Sequence, residues 1–153
     1  PKLLRLSLLL LGLILAASIA IRSPGVAEAK QTEILWDTWG VPHIFAKDNE
    51  SLAHAFGWAQ MQNHGNLILK LYGTARGRAA QYWGRNYLEA DILVRTMGFA
   101  DNAPEWDAKQ SPAIRRYLDE FVAGMNDYAK EHPDKIADEL KIVLPISATD
   151  VLA

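Results

Sequence analysis

Gln60, Gln62, Asn63, His64 and Asn66 set five amide or imidazole groups into an otherwise apolar stretch of the chain. Gln60 and His64 are one helical turn apart, so on a helix they share a face. Such groups, once buried, each need a hydrogen-bond partner. Two uses meet that need: fastening the helix to neighbouring backbone, or lining a substrate cleft. Gln60, Asn63 and His64 are the candidate substrate-binding residues on the second use.

Nothing comparable points to bond-breaking chemistry. Nucleophilic catalysis needs an activated Ser, Thr, Cys or Lys beside a base. From residue 30 onward the serines are Ser51, Ser111 and Ser147, and the first two stand where helix caps belong; the chain has no cysteine. His54 and His64 are ten residues apart, which puts them roughly 80° apart around a helix and spoils joint metal ligation. Asp37 and His43 could form an acid/base pair across a turn, but a hydrogen bond holding that turn explains the same two residues. No catalytic residue and no metal ligand is assigned, and no cofactor is expected in these residues.

The elements that must position these groups follow from patterning. Thr32 to Asp37 and Val41 to Ala46 are short runs rich in β-branched and aromatic residues around Thr38-Trp39-Gly40, and read as a hairpin whose Pro42 belongs at an edge. Asp48, Asn49 and Ser51 offer cap oxygens to a helix from about Ser51 to about Tyr72, which Gly65 should kink or break. The glycines at 73, 77 and 84 predict a turn, about one helical turn and another turn, then a helix from Tyr87 to Met97. Phe99 to Gln110 lacks periodicity and reads as a connecting loop. Ser111-Pro112 starts a helix along which Ile114, Leu118, Phe121, Met125 and Tyr128 draw one apolar core stripe. Pro133 stops it, a short helix spans Asp134 to Leu140, and Thr149-Asp150 reads as the cap of a last helix.

Lys2 and Arg5 precede an apolar stretch from Leu6 to Ile21, and Ala27-Glu28-Ala29 has the A-x-A form of a signal-peptide cleavage site. Residues 1–29 are therefore expected to be a signal peptide, with Ser18-Ile19-Ala20 a weaker cleavage site and an uncleaved anchor the competing reading. The run is shorter than the about 20 apolar residues that a spanning helix usually wants. Removing residues 1–29 takes away Lys2, Arg5, Arg22 and Glu28 and lowers the net charge from −2 to −4. That balance argues against a nucleic-acid or anionic-membrane partner. Without cysteine, stability must come from buried apolar surface.

The segment Glu33-Ile34-Leu35-Trp36-Asp37-Thr38-Trp39-Gly40-Val41-Pro42-His43-Ile44-Phe45-Ala46 resembles the opening of the mature α chain of penicillin acylases and acyl-homoserine-lactone acylases, with Trp39 where Tyr is commoner. Ser51-Leu52-Ala53 and Gly57-Trp58-Ala59-Gln60 resemble the family's next helix, and Met61 to Leu67 departs from it by about two extra residues. Gly77-Arg78, Trp83-Gly84, Leu93 to Gly98, and Tyr117 with Phe121 to Asn126 continue the likeness in family order.

The resemblance implies an α+β fold: a mostly helical α-chain fragment, residues 30–153, with an N-terminal β-hairpin, part of an αββα N-terminal-nucleophile hydrolase. It implies a secreted or periplasmic amidohydrolase of N-acyl compounds, made as a zymogen, in which an N-terminal Ser of a separate β chain attacks the amide. The β chain is the implied partner, and calcium is a cofactor of some whole enzymes of this kind. The fragment alone should be inactive. The alternative is a non-catalytic periplasmic helical module held by an uncleaved leader.

Overall fold

The computed structural model describes residues 31–153, so the leader expected over residues 1–29 lies outside the described residues. Strands β1 (Glu33–Trp36) and β2 (Pro42–Phe45) precede helices α1 (Asn49–Ala75), α2 (Ala79–Trp83), α3 (Leu88–Met97), α4 (Phe99–Lys109), α5 (Pro112–Glu131) and α6 (Ala148–Leu152). Single 3₁₀ turns occupy Arg85–Tyr87, Pro133–Lys135 and Asp138–Val143. The mostly helical chain with one hairpin is as expected.

The strands pair antiparallel with Glu33 opposite Phe45 and Trp36 opposite Pro42, which puts the proline at the last rung, where its missing N–H disturbs least. Ile34, Trp36, Pro42 and Ile44 turn one half-buried face toward α1. Asp48 caps α1 by accepting the Ser51 N–H at 2.7 Å. Ser51 thus lies in the first turn rather than at the cap. The expected kink is present one residue early: His64 leaves helical geometry at φ −137, ψ 18, and the helix resumes at Gly65.

Helices α1 and α5 form the centre of the molecule, and they cross at two glycines. A Cβ on Gly57 would run into the carbonyl oxygen of Phe121, and one on Gly124 into that of His54. Only residues without side chains let the two backbones touch. Below the crossing, Met61, Leu69, Val122, Met125 and Tyr128 pack with Ile136, Leu140, Val143 and Ile146 in one buried cluster. Of the stripe predicted along α5, Met125 and Tyr128 are buried, Leu118 and Phe121 half-buried, and Ile114 exposed.

Four expectations are corrected. Phe99 to Gln110 is not a loop: residues Phe99–Lys109 form α4, with Pro104 inside it. Pro104 leaves only the Ala100 carbonyl without its helical donor, while burial of Ala103 and packing on α6 hold the helix. Gly98, left-handed at φ 72, turns the chain from α3 into α4, and the Asn102 side-chain amide donates to its carbonyl at 2.7 Å. Gly73 is not a turn, because α1 runs through it to Ala75; a Cβ there would strike the Trp83 ring. The short helix expected over Asp134 to Leu140 is two 3₁₀ turns separated by extended, buried Ile136. Ser147, not Thr149-Asp150, caps α6, with Asp150 returning the bond to the Ser147 N–H in a capping box.

Candidate functional site at the helix kink

The kink at His64 opens a pocket in the side of α1. Met61, Gln62, Asn63, His64, Gly65, Asn66 and Leu67 line it from α1, with Tyr128 from α5 and Lys135 from the following 3₁₀ turn. Asn63 and His64 of the candidate residues are therefore brought to one cavity. Gln60 is half-buried on the preceding turn and is not part of its lining. Tyr128 was legible only as core, and Lys135 carried no signal, because its approach depends on how the chain returns after α5.

The amides divide between two jobs. Asn66 is a fastener: its side chain donates to the Lys135 carbonyl at 3.3 Å and accepts the Ala137 N–H at 3.0 Å, pinning the 3₁₀ segment to α1. Asn63 donates to the Gly40 carbonyl at 3.4 Å and so ties the hairpin turn to the kink. Gln62 and His64 are exposed at the mouth. The Lys135 ammonium lies 3.3 Å from the Asp134 carboxylate. The pocket thus presents amide donors and acceptors, an imidazole and a paired cation, a set suited to binding a polar ligand and lacking a nucleophile.

Asp37 and His43 resolve as a turn lock. Asp37 Oδ1 accepts the N–H groups of Trp39 at 2.8 Å and Val41 at 2.9 Å, and Oδ2 lies 3.4 Å from His43 Nε2. The Val41 hydrogen bond above all, with those of Trp39 and His43, holds this carboxyl below its ordinary value. His54 Nε2 sits 3.1 Å from Asp127 Oδ2, bridging α1 and α5, so the two histidines ten residues apart serve different surfaces. Ser111 caps α5, and the Ser147 hydroxyl lies 2.8 Å from an Asp150 carboxylate oxygen.

Three polar residues that patterning missed hold the glycine-punctuated segment and the chain's last helix. Buried Asp91 on α3 accepts the N–H groups of Ala79 and Ala80 at 2.7 and 2.8 Å, capping α2 from another helix, while Arg95 donates to the Gly77 carbonyl at 2.8 Å. Arg76 grips Asp150 through two nitrogens at 2.6 and 2.7 Å. Burial pushes the Asp150 carboxyl up, but hydrogen bonds from Arg76 and Ser147 outweigh it, and the group sits below its ordinary value. Asn126 makes two 2.8 Å bonds to the N–H and carbonyl of Ile146. Among the described residues no three His, Asp or Glu side chains cluster as a metal site, so these residues do not fit calcium by themselves. No described helix is long and apolar enough to cross a membrane.

Comparison with known proteins adds to this geometry. The Penicillin amidase family model matches residues 31–151. An acyl-homoserine lactone acylase of Pseudomonas syringae pv. syringae is 29% identical over 146 residues, covering 87% of this chain and 18% of that protein. A penicillin acylase 2 proenzyme of a Pseudomonas species is 32% identical over 92 residues, 60% of this chain and 12% of the relative. Among solved structures, a thermostable penicillin G acylase from Alcaligenes faecalis superposes with a TM-score of 0.67 at 22% identity, covering 80% of this chain and 69% of that one, a likeness of fold. The chain spans less than a fifth of the length of these curated relatives.

Proposed function

The chain belongs to the penicillin amidase family, and on that premise we propose that it is the leading part of an exported acylase that hydrolyses the amide bond of N-acyl compounds, acylated homoserine lactones or β-lactam side chains. The observation that carries the reading is the family match across residues 31–151, joined to relatives named for acyl-homoserine lactone and penicillin acylase activity.

The chemistry follows from what such a reaction needs and what these residues lack. A Ser at the N-terminus of a second chain, freed by self-cleavage of a common precursor, attacks the amide carbonyl, with its own α-amino group taking the proton. Donors on that chain hold the oxyanion. The amine leaves, and water releases the acyl group. Residues 30–153 contribute scaffold and a wall of the cleft; Gln60, Asn63 and His64 are the proposed substrate-facing groups. Calcium, where the whole enzyme uses it, is held mainly by residues outside this set. The leader directs the protein to the periplasm or beyond the cell.

The test is the complete gene. Its product should split into two chains, expose a Ser, Thr or Cys at the second N-terminus by mass spectrometry, and release amine from an N-acyl substrate. Residues 30–153 alone should give no turnover. A complete gene that yields no such self-exposed nucleophile sinks the reading, and so does turnover by the fragment.

A further inference from the structure

The hairpin has one face against α1 and one face bare. With Leu35 opposite His43 and Phe45 opposite Glu33, the strand alternation sends Leu35 and Phe45 outward, where they are 47% and 48% exposed. At its tip Trp39 is 89% exposed and Val41 50%. The tip is tied to α1 by the Asn63 amide on the Gly40 carbonyl. Leu67 and Leu71 follow Asn63 at steps of four, the spacing of one helix face, and are 58% and 57% exposed. Six large apolar side chains thus run from the hairpin across its tip and on along α1 past the kink.

We propose that this surface is where the later part of the same precursor packs, an assignment that rests on the acylase reading above. Scattered apolar residues on a surface are ordinary, whereas a joined patch of this kind marks an interface. The hairpin points the same way: two strands alone are marginal in water, and both edges of this sheet are unpaired among the described residues, open to further strands. Length chooses the occupant. The curated relatives are more than five times longer than the segment they share with this chain. A covalently encoded partner is present at one copy per chain, whereas a second copy would have to meet the same patch with itself.

The absence of cysteine from the chain makes the test direct. Trp39→Cys and Leu71→Cys are made singly in the complete gene, and thiol labelling of the purified product is compared with the same protein in urea, any background from the unaltered product being subtracted. Protection of both sites by about 30-fold or more, unchanged on dilution, is expected. Labelling within about threefold of the denatured rate overturns the assignment. Protection that disappears on dilution of a homodimer also overturns it, in favour of a second copy. Leu71→Cys serves if Trp39→Cys fails to fold. Amidase activity of the unaltered product separates the two readings: reactive thiols in an active enzyme sink this surface alone, and protected thiols in an inactive protein support the surface while sinking the acylase assignment.

Discussion

The α1–α5 crossing and the outer face of the hairpin are built from similar residues to opposite ends. At the crossing, glycine meets backbone, Met61, Leu69 and Met125 are fully enclosed, and no buried side-chain nitrogen or oxygen lacks a partner among the described residues. On the hairpin, aromatic and aliphatic side chains stand in solvent. One region is a finished core and the other half of an interface. The contrast teaches that hydrophobicity in a sequence marks what will be covered, not what covers it.

The largest expected break comes at the crossing. Gly124→Ala puts a methyl group into the His54 carbonyl, and urea unfolding followed by tryptophan fluorescence should register a loss of about 3 kcal/mol or more. An unchanged midpoint would mean that the helices can part without cost and that the core is less finished than it looks. Asp150→Ala strands Arg76 in a site where it is only 21% exposed, and a loss of about 3 kcal/mol is expected in the same titration, the low end for a buried pair because Arg76 keeps some water.

That pair also sets a pH dependence. A carboxyl held below its ordinary value in the folded chain stabilises at pH above the unfolded value of about 4, and the contribution fades as pH falls through the lower folded value. The parent should therefore lose stability on acidification below about pH 4 more steeply than Asp150→Asn. Equal slopes would remove Asp150 from the account. Asn126→Ala loses two hydrogen bonds to Ile146 and should cost about 2 kcal/mol.

The other side of the comparison predicts the smallest change. Trp39→Ser, at an exposed turn tip, should shift the unfolding midpoint of residues 30–153 by less than about 0.5 kcal/mol. In the complete protein the same change should weaken retention of the partner chain. A large effect on the isolated residues would show that Trp39 belongs to the finished core.

How much of this was legible depends on range. Both strands, the kink beside Gly65 and the Ser111-Pro112 start are local, and each lies within about three residues of its expected place. Phe99–Lys109 was not legible, because what holds it helical is Ala103 against a helix some fifty residues on. Gly73 looks like punctuation in sequence and is a seat for Trp83 in the fold. Of the candidate site, Asn63 and His64 reach the pocket, while Lys135 enters it from a distant turn.

Local chemistry determined the alternation of the strands, the caps and breaks of the helices, and the lack of a nucleophile, since each is fixed by side chains within a turn or two of one another. Only the tertiary structure decided that Asn66 fastens while His64 faces a pocket, that Asp91 caps a helix not its own, and that the apolar residues of the hairpin remain uncovered. Those outcomes turn on which surfaces meet, and burial free energy belongs to pairs of surfaces rather than to either one alone.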